Sequence, residues 1–143
     1  MGALTVYLDA SVLVALFVQD SLKERAMAFL RATHPVLFVS DFASAEFSSA
    51  IAHRVRIGAI TEAGARAAFT NYDDWTGRMA ALLRTESADI NAATVFVRRL
   101  DLTLRAPDAI NIAIARRVGA ALATFDRKMA EAAAALGVTV AAA

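Results

Sequence analysis

Four carboxylic acids stand among apolar or small neighbours. Asp9 closes Val6-Tyr7-Leu8-Asp9, and Glu46 lies in Ala43-Ser44-Ala45-Glu46-Phe47. Asp108 follows Arg105-Ala106-Pro107, and Asp126 closes Leu122-Ala123-Thr124-Phe125-Asp126. Brought together, such groups cannot all ionise cheaply, because each negative charge raises its neighbours' pKa. A divalent cation removes that cost. Hard oxygen donors, with no cysteine in the chain and only two histidines, favour Mg²⁺ or Mn²⁺ over Zn²⁺. Acids holding one or two such ions cleave phosphodiesters by activating a water and steadying the leaving oxygen.

Each acid also has a structural explanation. Asp9 and Asp126 stand where helix N-caps belong, and Asp108 falls in a first helical turn, where the dipole favours an acid. Glu46 shares a helical stripe with Phe42 and Ala50, so its face is not plainly a solvated one, although a long acidic side chain can reach water from a half-buried position. What joins the four is the order of elements around them.

The apolar run Leu4 to Leu8 predicts a buried strand ending at Asp9. Short helices follow over Ser11 to Phe17 and, capped by Ser21, over Leu22 to Ala32. After Pro35, Val36 to Val39 predicts a second strand, and Asp41 caps a helix from Phe42 to Ile57 that Gly58 stops. Thr61 caps a helix through Tyr72, Met79 to Arg84 is a third strand, and Ser87 caps a helix to Leu100. Pro107 opens a helix ending at Val118-Gly119, Pro being tolerated in the first turn. Ala120 to Thr124 is a strand, Asp126 starts a helix to Leu136 that Gly137 stops, and Val138 to Val140 is a final strand.

Strands alternating with helices imply an α/β fold with a mostly parallel sheet covered on both faces, joined by right-handed crossovers. Sites in such folds lie beyond the carboxyl ends of the strands. Asp9 and Asp126 stand at two of those ends. Asp108 begins the helix feeding the Asp126 strand, and Glu46 is about one turn into the helix after the second strand. All four are therefore expected at one crevice.

Composition bounds the rest. The 143 residues make one domain's worth of chain, expected to be a single domain over 1–143. At 58% hydrophobic and 20% charged the chain is not intrinsically disordered. Its apolar runs are far shorter than a membrane span of roughly 20 residues needs, and no basic-apolar-cleavage pattern marks a secretory signal, so a cytoplasmic location is expected. A net charge of +1 excludes a purely electrostatic, histone-like nucleic-acid binder. Setting aside the four acids leaves ten acidic residues against fifteen basic ones, which is an acidic hole in a moderately basic exterior.

The segments Leu8-Asp9-Ala10-Ser11-Val12-Leu13-Val14, Glu46-Phe47, Asp108-Ala109 with Ile112-Ala113, and Thr124-Phe125-Asp126, in that order and spacing, resemble the PIN-domain ribonucleases, and within them the VapC toxins of type II toxin–antitoxin pairs. From Gly58 to Leu104 only the pattern of elements matches. The resemblance implies a three-layer sandwich with strand order 3-2-1-4-5, in which the first and fourth strands are neighbours. It implies that Asp9, Asp108 and Asp126 hold Mg²⁺ or Mn²⁺ directly and that Glu46 does so directly or through water, as the catalytic set of a metal-dependent endoribonuclease. Ser11 and Thr124 match supporting hydroxyls, although Ser11 also reads as a helix cap and Thr124 as an ordinary β-branched strand residue.

The implied partners are an RNA of the transfer or ribosomal class, a small VapB-like antitoxin, and a second copy of the chain; no membrane is involved. Arg54, Arg56, Arg105, Arg127 and Lys128 are the candidate phosphate contacts, with ordinary surface solubility as the alternative for each. The antitoxin is expected to lay an amphipathic segment on the Leu22–Leu30 and Phe42–Ile57 helices, although those apolar stripes also read as core. His34 and His53 are expected to be structural or surface residues. Two rival classes remain. A haloacid-dehalogenase-type phosphatase needs an Asp two positions after the strand-end acid, where this chain has Ser11. The other rival is a non-catalytic binding or scaffold protein on the same fold.

Overall fold

The computed structural model describes residues 4–18 and 20–141. The chain forms β1 (Thr5–Leu8), α1 (Ala10–Phe17), α2 (Lys23–Thr33), β2 (Val36–Ser40), α3 (Asp41–Arg56), α4 (Glu62–Met79), β3 (Ala80–Leu83), α5 (Ser87–Val97), α6 (Ala106–Val118), β4 (Ala121–Ala123), α7 (Arg127–Ala135) and β5 (Val140–Ala141). The strands make one parallel sheet of order β3-β2-β1-β4-β5, the order expected. β1 is central and its Val6, Tyr7 and Leu8 are fully buried, as a strand covered on both faces must be. Its register pairs Leu8 with Ala123 of β4, so the two chains leave the sheet side by side at Asp9 and Thr124. The Asp9 N–H still reaches the Ala123 carbonyl at 3.2 Å.

Helix packing falls into groups: α1 touches α2, α3 and α4, while α5 packs on α6. An aromatic cluster ties the first group. Phe47 stacks on Tyr72 with ring centroids 4.3 Å apart, and Phe17 meets Tyr72 and Trp75 edge-on at 5.5 Å. The second group is clamped by Arg117 of α6, whose guanidinium bonds both carboxylate oxygens of the buried Asp89 on α5 at 2.8 and 3.0 Å and the Arg84 carbonyl after β3 at 3.0 Å.

Several helix ends differ from the sequence expectation, and at α3 and α5 the cause is the same: the cap is the residue whose oxygen meets the free amides, wherever it stands. Ser40, not Asp41, caps α3 by accepting from the Ala43 N–H at 2.9 Å. Asp41 instead turns outward to Thr85 beyond β3. At α2 the cap position is Leu22 rather than Ser21 and has no side-chain bond; Asp20 accepts from the Leu22 N–H at 2.7 Å just before the helix. At α5 the cap is Glu86 rather than Ser87, with Asp89 turning back to its N–H at 2.8 Å. α4 continues to Met79, past Tyr72, because Trp75 and Thr76 extend its inward stripe. α5 stops at Val97, and β5 falls at Val140–Ala141. Gly119 closes α6 at φ 70°, a left-handed turn that a glycine adopts without a Cβ penalty.

Candidate active site at the carboxyl edge of the sheet

Asp9 is the fixed point of the site. It caps α1 through the Val12 N–H at 3.2 Å, and it is 5% exposed. Two hydroxyls complete its shell. Ser11 Oγ donates to Oδ1 at 2.6 Å and Thr124 Oγ1 donates to Oδ2 at 2.5 Å. Each hydroxyl in turn accepts a backbone N–H from the segment leaving β4: Phe125 to Ser11 at 2.9 Å and Asp126 to Thr124 at 3.0 Å. The hydroxyl protons are thus committed to Asp9, so these bonds support its ionised form. Ser11 is not the helix cap, since Asp9 fills that position, and Thr124 is more than a strand residue, since it joins Asp9 to the backbone of Asp126.

Glu46 is half-buried on α3 and Asp108 half-buried in the first turn of α6, while Asp126 caps α7 through the Met129 N–H at 3.1 Å and is exposed. The acids interact through their charges. Burial pushes the Asp9 carboxyl up, against the pull of the Ser11 and Thr124 hydroxyls. Burial likewise raises Glu46, the Asn111 amide opposes, and the charges of Asp9 and Asp108 raise it further. Asp108 is raised first by burial and then by Asp126. Arg105, 3.9 Å from Asp108, lowers both Glu46 and Asp108. The four acids therefore share one electrostatic neighbourhood. Among the described residues, however, no three Asp, Glu or His side chains stand close enough to grip one ion as they are.

Three residues of this edge escaped the sequence reading. Asn111 donates to Glu46 Oε1 at 2.7 Å, and the Tyr7 hydroxyl meets Asn111 Oδ1 at 2.5 Å and Ser40 Oγ at 2.6 Å. Their signal was present in type: a tyrosine in an aliphatic strand and an asparagine on the buried stripe of an apolar helix, since a buried polar group is the informative exception.

The candidate phosphate contacts are dispersed. Arg105 stands at the acids, and Arg127 lines a depression of about 250 Å³ with Asp126, Thr124, Phe125 and Arg25, the last lying over the Phe125 ring at 5.2 Å. Lys128 lines a different depression, with Asp101 and Glu131. Arg54 is ion-paired with Asp20 at 3.3 Å. At 1.5 Å per residue Arg54 and exposed Arg56 lie roughly 12–15 Å along α3 from Glu46. Of the two histidines, His34 ends α2 in a left-handed turn at φ 42° and His53 is exposed in the last turn of α3, as expected of structural or surface positions.

The PIN domain family matches residues 6–135, and the chain belongs to that family. Its fold is similar to that of Mycobacterium tuberculosis VapC20, a sarcin-ricin loop cleaving toxin (TM-score 0.75, 19% identity, covering 96% of this chain and 99% of that one). It is also similar to a chain of the Neisseria gonorrhoeae FitAcB structure (0.71, 17%, 94% and 95%) and to one of Rickettsia felis VapBC2 bound to a fragment of its promoter DNA (0.67, 11%, 96% and 98%). A search of curated protein sequences found no match.

Proposed function

We propose that this PIN-domain protein is a Mg²⁺- or Mn²⁺-dependent endoribonuclease, the toxin of a VapBC-type pair. The observation that carries this reading is the buried Asp9 carboxylate, held by hydroxyl and amide donors, with Glu46 and Asp108 near it raised in part by neighbouring carboxylate charges. That donor set, oxygen only and mutually repulsive, suits a hard divalent cation. Such an ion supplies an activated water and charge stabilisation at the phosphodiester. Asp9 is the preorganised ligand. Glu46 on α3, Asp108 in the first turn of α6 and Asp126 at the cap of α7 would complete the ligand set. Arg105, and the Arg127–Arg25 depression beside Asp126, offer positive charge to the phosphates on either side of the scissile bond. Single-stranded loops of transfer or ribosomal RNA fit that arrangement, as does the sarcin-ricin loop activity of the similar mycobacterial toxin.

The antitoxin segment belongs in the apolar groove of about 450 Å³ formed by Leu16, Phe17, Met27, Leu30 and Trp75, edged by Lys23 and Arg31. That groove is lined by α1, α2 and α4, with no lining residue from α3. An amphipathic helix with acidic flanks matches that surface.

A non-catalytic PIN-fold binding protein is the second reading, favoured by the absence of a preformed three-acid cluster among the described residues. Incubating total cellular RNA with Mn²⁺ separates the two. The nuclease reading predicts cleavage that EDTA abolishes, and intact RNA with calorimetrically silent Mn²⁺ supports the binding protein.

A further inference from the structure

The bond between Asn111 and Glu46 is the end of a directed chain. Asn111 is 3% exposed on α6, and its amide nitrogen also donates to the Pro107 carbonyl, at 3.0 Å. A carbonyl only accepts, so the NH₂ group must face Pro107 and Glu46, and Oδ1 must face Tyr7. The Tyr7 hydroxyl, buried in β1, therefore donates to Asn111. Its oxygen is left to accept from Ser40, whose own oxygen receives the Ala43 N–H. Every proton is assigned: Ser40 to Tyr7, Tyr7 to Asn111, Asn111 to Glu46. The chain starts at the Ser40 cap of α3 and returns to α3 at Glu46, six residues further on, through β1 and α6.

Resting on the metal-dependent reading above, we propose that Asn111 is a positioning residue for Glu46, its amide orientation locked by the Ser40–Tyr7 hydroxyl relay, so that Glu46 presents its other oxygen to the crevice as an acceptor. Groups that orient a metal ligand in this way typically change metal affinity by about 10–100-fold when removed.

The test titrates Mn²⁺ calorimetrically into wild type, Asn111→Ala and Tyr7→Phe, with thermal unfolding recorded for each. Tyr7→Phe keeps the packed ring and guards against a misfolded Asn111→Ala. The expected result is Mn²⁺ binding weakened about tenfold or more in Asn111→Ala, and weakened to a lesser degree in Tyr7→Phe. In the metal-free protein, the side-chain amide resonances of Asn111 should be slow to exchange and should move on Glu46→Gln. Wild-type Mn²⁺ affinity in folded Asn111→Ala, or amide resonances indifferent to Glu46→Gln, would overturn the proposal. Wild-type protein that binds no Mn²⁺ overturns the metal reading itself, a result distinct from loss confined to the variants.

Discussion

At Asp9 two opposing effects meet: burial disfavours the charge, while two hydroxyls and two backbone amides favour it. The raised directions at Asp9, Glu46 and Asp108 mean that the native state holds more protons than the unfolded chain in the window just above ordinary carboxylate pKa values. Stability from these groups is present at low pH and is lost as pH rises through their folded pKa values. The expected outcome is that metal-free protein melts at a higher temperature near pH 5 than these acids permit at pH 7, and that Mn²⁺ raises the melting temperature more at pH 7 than at pH 5. Melting curves at both pH values, with and without Mn²⁺, check this. Removing one hydroxyl is a finer probe. Thr124→Val deletes the donor to Asp9 Oδ2 and the acceptor for the Asp126 N–H, at an expected cost of about 1–3 kcal/mol in a denaturant titration.

The elements that carry these residues owe their positions to caps and aromatic packing. Ser40 serves twice, capping α3 and donating to Tyr7, so Ser40→Ala should cost about 1–2 kcal/mol, more than an isolated cap in a peptide. Phe47→Ala empties the stacked centre between α1, α3 and α4 and should cost about 3–5 kcal/mol by chemical denaturation. The strands and the acid-bearing helices were legible in the sequence because apolar runs, Pro107, Gly119 and the strand-end acids all point the same way. The caps at Asp41, Ser21 and Ser87 were misplaced by one residue because several polar residues adjoin each start, and only the backbone path decides which oxygen meets the free amides. The Tyr7–Asn111 contact spans 104 residues, and no local pattern encodes a pairing at that range.

For the whole molecule, parallel order β3-β2-β1-β4-β5 places β1 and β4 together, and with them Asp9 and Asp126. That much followed from alternation of elements and from resemblance. The closeness of the four acids is looser than the sequence suggested, since the helix-borne carboxylates do not by themselves form a three-ligand cluster. The groove between α1, α2 and α4 contains none of the four acids, so blocking it should leave the proposed nuclease chemistry intact. On the toxin reading proposed above, expression should arrest growth, and Leu30→Glu, placed in that groove, should abolish rescue by a co-expressed VapB-type antitoxin while the arrest persists. Plate growth with and without the antitoxin reads both effects.

On the proposed function, Asp9 organises a metal-dependent phosphodiesterase site. Asparagine preserves the cap and the shape at this position while removing the charge. The direct measurement is cleavage of RNA in Mn²⁺ by wild type and by Asp9→Asn of matched thermal stability. The expected result is Mn²⁺-dependent cleavage by wild type and at least about a hundredfold slower cleavage by the variant, in line with loss of about 3 kcal/mol of transition-state stabilisation. Equal cleavage by the two proteins would mean that Asp9 is not part of the cleaving site.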